Sequence, residues 1–286
     1  MASSRLSLLL ENVKFSHTVF ALPFAYTGMV LAGRGLPTLS QFLWITLAMA
    51  SARTLAMSAN RVIDARIDAR NQRTAGRPLT SGRLGMGEVL AVMALSLVIY
   101  FLAAWRLNDL TLRLAPVALI FLIGYSYTKR FTWLSHWVLG ITDGAGAAGG
   151  WIAVTGQFEP ATWVLWFTVA VWIGGFDLIY ACQDVDFDRR EGLHSVPARF
   201  GVAAALRTAR ICHLLTSAGL LALGVMCGLG AAYWAAWAGA SALLAYENRL
   251  VSPTDLSRLD VAFFNVNGYI SVLVFAGVFL STVLLR

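Results

Sequence analysis

The chain has 286 residues, of which 58% are hydrophobic and only 13% charged, with a mean hydropathy of +0.68. A soluble domain of this length needs far more polar surface, so the composition excludes an ordinary globular protein and points to the lipid bilayer as solvent. A net charge of +7 is compatible with nucleic-acid binding, but its distribution along the chain leaves that reading without support.

A membrane crossing needs roughly 20 predominantly apolar residues. Nine stretches qualify: about 14–33, 40–61, 87–105, 111–128, 135–156, 161–182, 208–228, 230–246 and 263–285. The first is not a cleavable signal peptide, because Pro23 interrupts it, it runs on to Ala32, and no small-x-small site ends it. With the N-terminus placed in the cytoplasm and the spans alternating, 17 of the 22 basic residues fall on cytoplasmic segments. That asymmetry is the positive-inside rule, and it predicts a multi-pass protein of the cell membrane with its N-terminus inside and its C-terminus outside. The three long polar connections, 64–86, 184–207 and 247–262, are then cytoplasmic. No linker separates two domains, so a single membrane-embedded domain is expected over 1–286. Short matches suggest an internal repeat of 14–128 in 133–246, with 263–285 as an added ninth helix.

The second span carries Arg53 inside the membrane and ends in Asn60-Arg-Val-Ile-Asp64-Ala-Arg-Ile-Asp68. Four-residue steps on a helix put Asn60, Asp64 and Asp68 along one side, with Arg53 roughly 10 Å deeper near the same face. A basic loop follows, Asn71-Gln-Arg73-Thr-Ala-Gly-Arg77-Pro. Arginine's planar fork suits phosphate oxygens, although lipid headgroups recruit it as well. Tyr125-Ser-Tyr-Thr-Lys129-Arg130 ends the fourth span; its cations are within a side chain's reach of a diphosphate, and Tyr125 offers a π face to a carbocation. As helix-end residues they also suit simple interfacial anchoring.

His17 and His136 each follow a serine near a helix start, where interfacial placement is expected. His194 is placed to protonate and touch phosphate, whereas His213 reads as packing. Asp143 lies in the Gly/Ala-rich stretch Gly140 to Gly150, which predicts close helix contacts. The sixth span ends in Tyr180-Ala-Cys-Gln-Asp184-Val-Asp186-Phe-Asp188, with Asp177 seven residues before Asp184 and so expected on its face. Cys182, Cys212 and Cys227 lie in or beside apolar spans without metal-type spacing and read as packing residues.

Two sets of carboxylates at one membrane depth suit hard divalent cations. Mg²⁺ prefers one or two carboxylates plus substrate phosphates to a full protein cage. A diphosphate held by two such ions is neutralised as it leaves, which is the main electrostatic need when an allylic C–O bond ionises. Ionisable residues inside spans mark function by default. Arg53 is the best partner here for an acceptor carboxylate, and Asp177 is expected to line the same cavity or to pair with Arg53.

Together these motifs resemble the UbiA superfamily of intramembrane aromatic prenyltransferases, in character the 4-hydroxybenzoate polyprenyltransferases. The residues that carry the resemblance are Asn60, Asp64 and Asp68, then Arg73-Thr-Ala-Gly-Arg77-Pro-Leu-Thr-Ser-Gly, Tyr125 to Arg130, and Tyr180 to Asp188. The resemblance implies an all-α integral membrane fold, nine transmembrane helices around a central cavity with cytoplasmic cap loops. It implies that Asn60 and Asp64 help bind one Mg²⁺, and Asp184 with Asp188 another, with Asp68 in support. Arg73, Arg77, Lys129 and Arg130 are expected to hold the diphosphate of a polyprenyl donor, and Arg53, Asp177 and Tyr125 to face an aromatic acid acceptor. Asp64, Asp68, Asp184, Asp188, Lys129 and Arg130 are the catalytic set, with Asp68 and Asp186 as candidate bases. Arg61 stands where the family pattern often has a first Asp, and is expected to contact diphosphate or to face lipid headgroups.

The acceptor choices are 4-hydroxybenzoate or a related carboxylated phenol or naphthol, homogentisate, and the haem and chlorophyll types. From another class, a secondary transporter also carries intramembrane charges and repeats, but its acidic residues should concentrate near the bilayer middle. A structural membrane subunit would tolerate Asn at positions 64 and 184.

Overall fold

The structure is a computed structural model that describes residues 4–284, with side chains other than those of residues 15–21. His17 lies among those undescribed side chains. The described residues form helices: α1 (Arg5–Asn12), α2 (Phe15–Gly33), α3 (Leu39–Asp68), α4 (Met86–Leu107), α5 (Asp109–Thr128), α6 (Ser135–Thr155), α7 (Pro160–Ala181), α8 (Val185–Arg190), α9 (Val196–Phe200), α10 (Val202–Met226), α11 (Ala231–Leu250) and α12 (Asn267–Phe279). A 3₁₀ turn, Cys182–Asp184, joins α7 to α8, and π-turns at Val261–Val266 and Leu280–Leu284 flank α12.

Each of the nine predicted spans meets one of these helices. Six described segments are long and apolar enough to cross a membrane: Leu39–Asp68, Met86–Leu107, Asp109–Thr128, Pro160–Arg190, Val202–Met226 and Val261–Leu284. Their surfaces agree with that solvent. On α4, Leu95, Val98, Leu102 and Trp105 are exposed at helical spacing, a stripe that water would penalise and lipid accepts.

Two compact units are formed, one from 1–22 and 39–127, the other from 23–38 and 128–286. In the first, α3 packs along α4, and Leu8 of α1 joins Leu79, Leu84 and Val89 in a small core beneath the loop that follows α3. Arg83 secures that loop, donating to the Glu11 carboxylate at 3.0 Å and to the Gly76 carbonyl at 2.7 Å.

In the second unit α6 and α7 pack together, and α7 packs on α10. The small residues of α6 explain the closeness. A Cβ on Gly140 would overlap the Ala170 carbonyl of α7, and one on Gly150 the Ala25 carbonyl of α2. Backbone thus lies against backbone, as the Gly/Ala stretch predicts. Pro160 opens α7 at a position where no intrahelical N–H is lost, and Gly156 ends α6 with φ of 68°.

Candidate active site

The first acidic motif occupies the last turns of α3. Asn60 and Asp64 are one turn apart, and the Asn60 amide donates to the Asp64 carboxylate at 2.8 Å and to the Ser126 hydroxyl of α5 at 3.2 Å. Arg61 does not face headgroups. It is 5% exposed, and its guanidinium donates to the Asn12 carbonyl at 3.2 Å and to Asn60 Oδ1 at 3.0 Å. Burial among these acceptors overrides the interfacial preference expected from its helix-end position. An amide oxygen has two acceptor sites, so Arg61 orients Asn60 and leaves one site open.

Asp68 and Arg77, to which the sequence gives separate roles, are brought together as a pair at 2.5 Å. Thr74 supports the turn between them, its hydroxyl donating to the Asp68 carbonyl at 2.9 Å. Arg73 is exposed on the same loop, its backbone N–H donating to Asn71 Oδ1 at 3.0 Å. Lys14, to which the sequence gives no particular role, lies within electrostatic reach of Arg61, Arg73 and Arg77, on a backbone with φ of 51°. A positive φ is uncommon for a non-glycine residue and marks a locally constrained position. Tyr125, half-buried at the end of α5, lies within reach of Arg61 as well, while Arg53 sits half-buried two turns earlier on α3.

The second motif lies where α7 gives way to α8. The intervening 3₁₀ turn changes the pitch between Asp177 and Asp184, which the sequence places on one face. Three residues at 120° instead of 100° rotate the start of α8 by about 60° relative to a continuous α-helix. Asp184 and Asp188 are both buried, at 9% and 2% exposure, and lie within electrostatic reach of each other. Lys129 is within reach of Asp188 and of Asp177. Arg130 and Asp186 are exposed, and so is His194, whose backbone N–H donates to the Lys129 carbonyl at 2.6 Å.

His136, expected at an interface, is fully buried and is the main residue the sequence missed. Its Nε2 accepts the Val196 N–H at 3.2 Å, so the ring proton sits on Nδ1, which donates to Asp177 at 2.6 Å. Asp177 is therefore engaged by His136. The adjacent Ser195 caps α9 and donates to Asp188 Oδ2 at 2.7 Å. Ser195 thus holds Asp188 directly, and Val196 at the start of α9 holds Asp177 through His136. No local pattern could have found this, since His136 and Asp177 are 41 positions apart.

The donor chemistry suits Mg²⁺. Asn60, Asp64, Asp184 and Asp188 offer hard oxygens only, no more than two carboxylates in each pair, as that ion prefers. Among the described residues no group of three or more His, Cys, Asp and Glu is placed to hold a metal ion by itself.

Comparison with known proteins settles the family. The model of the UbiA prenyltransferase family matches residues 21–282, which take in both acidic motifs. The chain belongs to the UbiA prenyltransferase family. It is similar to the 4-hydroxybenzoate octaprenyltransferase of Nitrosospira multiformis, with 31% identity over 254 residues, covering 89% of this chain and 87% of that one. Among solved structures, the apo UbiA homologue from Aeropyrum pernix K1 superposes with a TM-score of 0.84 at 33% identity, covering 92% of this chain and 96% of its own. A UbiA homologue from Archaeoglobus fulgidus, in a structure bound to GPP and Mg²⁺, shares the fold with a TM-score of 0.65 at 17% identity, covering 94% and 99%. This UbiA-family chain is therefore a multi-pass membrane prenyltransferase.

Proposed function

We propose that this prenyltransferase transfers a polyprenyl group from an allylic diphosphate to 4-hydroxybenzoate or a related carboxylated phenol or naphthol, in quinone biosynthesis, with Mg²⁺ as cofactor. The observation that carries the reading is the likeness to a 4-hydroxybenzoate octaprenyltransferase over 89% of the chain. The fold is also one that holds GPP and Mg²⁺ in the Archaeoglobus homologue.

In this reading Asn60 and Asp64 hold one ion, and Asp184 with Asp188 the other. When bound, Mg²⁺ would neutralise the diphosphate as the allylic C–O bond ionises. Lys14, Arg73, Arg77, Lys129 and Arg130 bind the diphosphate oxygens. Arg61 and Ser195 orient the ligands Asn60 and Asp188. Arg53 receives the acceptor's carboxylate, with Asp177 and Tyr125 beside the ring. The ring carbon ortho to the phenol attacks the cation and then loses its proton. Asp68, tied to Arg77, is the weaker candidate for that proton, which favours Asp186.

For the architecture we infer nine crossing helices in one domain around a central cavity, capped by loops on the cytoplasmic side. The support is the nine apolar stretches and the 17 of 22 basic residues on alternate connections. The internal repeat over 14–128 and 133–246 belongs to the same proposal.

The test is radiolabel transfer from geranyl diphosphate, and from longer donors, to 4-hydroxybenzoate by purified protein, with Mg²⁺ against EDTA. Mg²⁺-dependent product is expected. Product with homogentisate alone would overturn the carboxylated-phenol acceptor, and no product with any aromatic acceptor would overturn the reading.

A further inference from the structure

A buried polar cluster lies outside both acidic motifs. Glu247 of α11 is fully buried, its Oε1 accepting from the Asn267 amide at 2.9 Å while its Oε2 has no hydrogen-bond partner. His213 Nε2 stands 3.9 Å away, and the far side of that ring meets the Asn248 amide at 2.7 Å. Burying a carboxyl group is costly unless it secures something. What it secures is Asn267, whose amide also donates to the carbonyls of Ala262 and Phe263, each at 3.1 Å.

Those carbonyls belong to the π-turn Val261–Val266. A π-turn is rare and is frequently found at functional sites. Without Asn267, the regular α-helical register would compete with it. The turn presents Phe263, whose ring stacks on Tyr180 at 4.0 Å and meets Phe176 edge-on at 5.3 Å. Phe263 and Tyr180 are both half-buried, and Tyr180 lies four residues before Asp184.

We propose that Glu247 and Asn267 are positioning residues for prenyl transfer: they lock the π-turn so that Phe263 and Tyr180 form an aromatic wall that holds the allylic group and keeps water from it. The inference rests on the reading of Asp184 as a ligand on the diphosphate side. Aromatic faces attract a cation and exclude water. When the allylic C–O bond breaks, its electron pair leaves with the diphosphate. The cation is then captured either by the acceptor ring, which loses a proton, or by water, which loses a proton to give the prenyl alcohol. The wall sets that partition.

The experiment measures the ratio of geraniol to prenylated 4-hydroxybenzoate formed from geranyl diphosphate with Mg²⁺, using the purified full chain. Glu247→Leu and Phe263→Leu should each raise the ratio about fivefold, the size of one lost aromatic contact. Glu247→Gln retains an oxygen for the Asn267 amide and should stay within about twofold of wild type. Slower product formation at an unchanged ratio in both leucine variants would mean a merely structural role and would overturn the proposal. If Glu247→Leu does not fold, Phe263→Leu decides alone, since its half-buried ring is no keystone of the core. A wild type that releases no diphosphate from geranyl diphosphate, with or without acceptor, would overturn the reading of the acidic motifs and this inference with it. An active wild type with unchanged ratios would overturn the inference alone.

Discussion

The two acidic motifs look alike in sequence and are held in opposite ways. Around the first, fixed cations outnumber carboxylates: Arg61 grips Asn60, Arg77 grips Asp68, and Lys14 and Arg73 lie nearby. Around the second, Asp177 of α7 and Asp188 of α8 are near Lys129 and take hydrogen bonds from uncharged groups, a His136 ring whose second nitrogen is an acceptor and the Ser195 hydroxyl. The first group is already compensated and has positive charge to spare for an anion. The second buries negative charge that gains most from an added cation. Similar spacing of Asp residues therefore conceals a difference in how the charge of each group is compensated.

The largest expected effect follows from that difference. Asp184→Asn and Asp188→Asn should each lower the rate of transfer by roughly 10²–10³, the usual cost of removing one electrostatic group that stabilises developing charge. Asp64→Asn should fall short of that by about tenfold, because neighbouring cations still hold the diphosphate. Steady-state rates at saturating Mg²⁺ decide the matter, and equal losses at positions 64 and 184 would break the comparison.

Arg61→Lys tests the first group from behind. Lysine has no planar fork to reach both Asn60 Oδ1 and the Asn12 carbonyl. Apparent Mg²⁺ affinity should drop about 10-fold or more, as for other residues that orient metal ligands, with the rate recovering at high Mg²⁺. A rate that stays low at all Mg²⁺ concentrations would instead place Arg61 on the substrate. Ser195→Ala is the matching test of the second group. It removes the hydroxyl that donates to Asp188 and should cost about tenfold in rate, consistent with a lost hydrogen bond to a charged acceptor.

How much of this was legible in the sequence depends on distance along the chain. Apolar length located α3, α5 and α7 but not the short α8 that carries Asp188, and four-residue spacing placed Asn60, Asp64 and Asp68 along one side because α3 runs unbroken to Asp68. The 3₁₀ turn between α7 and α8 was not legible, since nothing in Cys182-Gln183-Asp184 announces the change of pitch. Partners remote in sequence were not legible at all. His136 and Asp177, Arg61 and Asn12, and Glu247 and Asn267 meet only because helices fold back on one another. The motif assigns Arg77 to the diphosphate, but its pairing with Asp68 depends on a loop path that Gly76 and Pro78 constrain without specifying.

The smallest expected effect separates two arginines that share one loop. Arg73 is exposed, so its attraction for a diphosphate acts through water and is screened by salt, whereas Arg77 is mostly buried at 21% side-chain exposure against Asp68. Arg73→Ala should raise the KM for geranyl diphosphate about twofold at low ionic strength, with the difference from wild type vanishing near 0.5 M salt, where the Debye length is roughly 4 Å. Arg77→Ala should raise it about tenfold at either ionic strength, since a buried pair is screened far less and its loss also leaves Asp68 uncompensated. KM measured across a salt series tells the two apart. If Arg77→Ala also lost its effect at high salt, the loop would be a diffuse basic surface, and the proposal that Arg77 holds the diphosphate from a mostly buried position would fail with it.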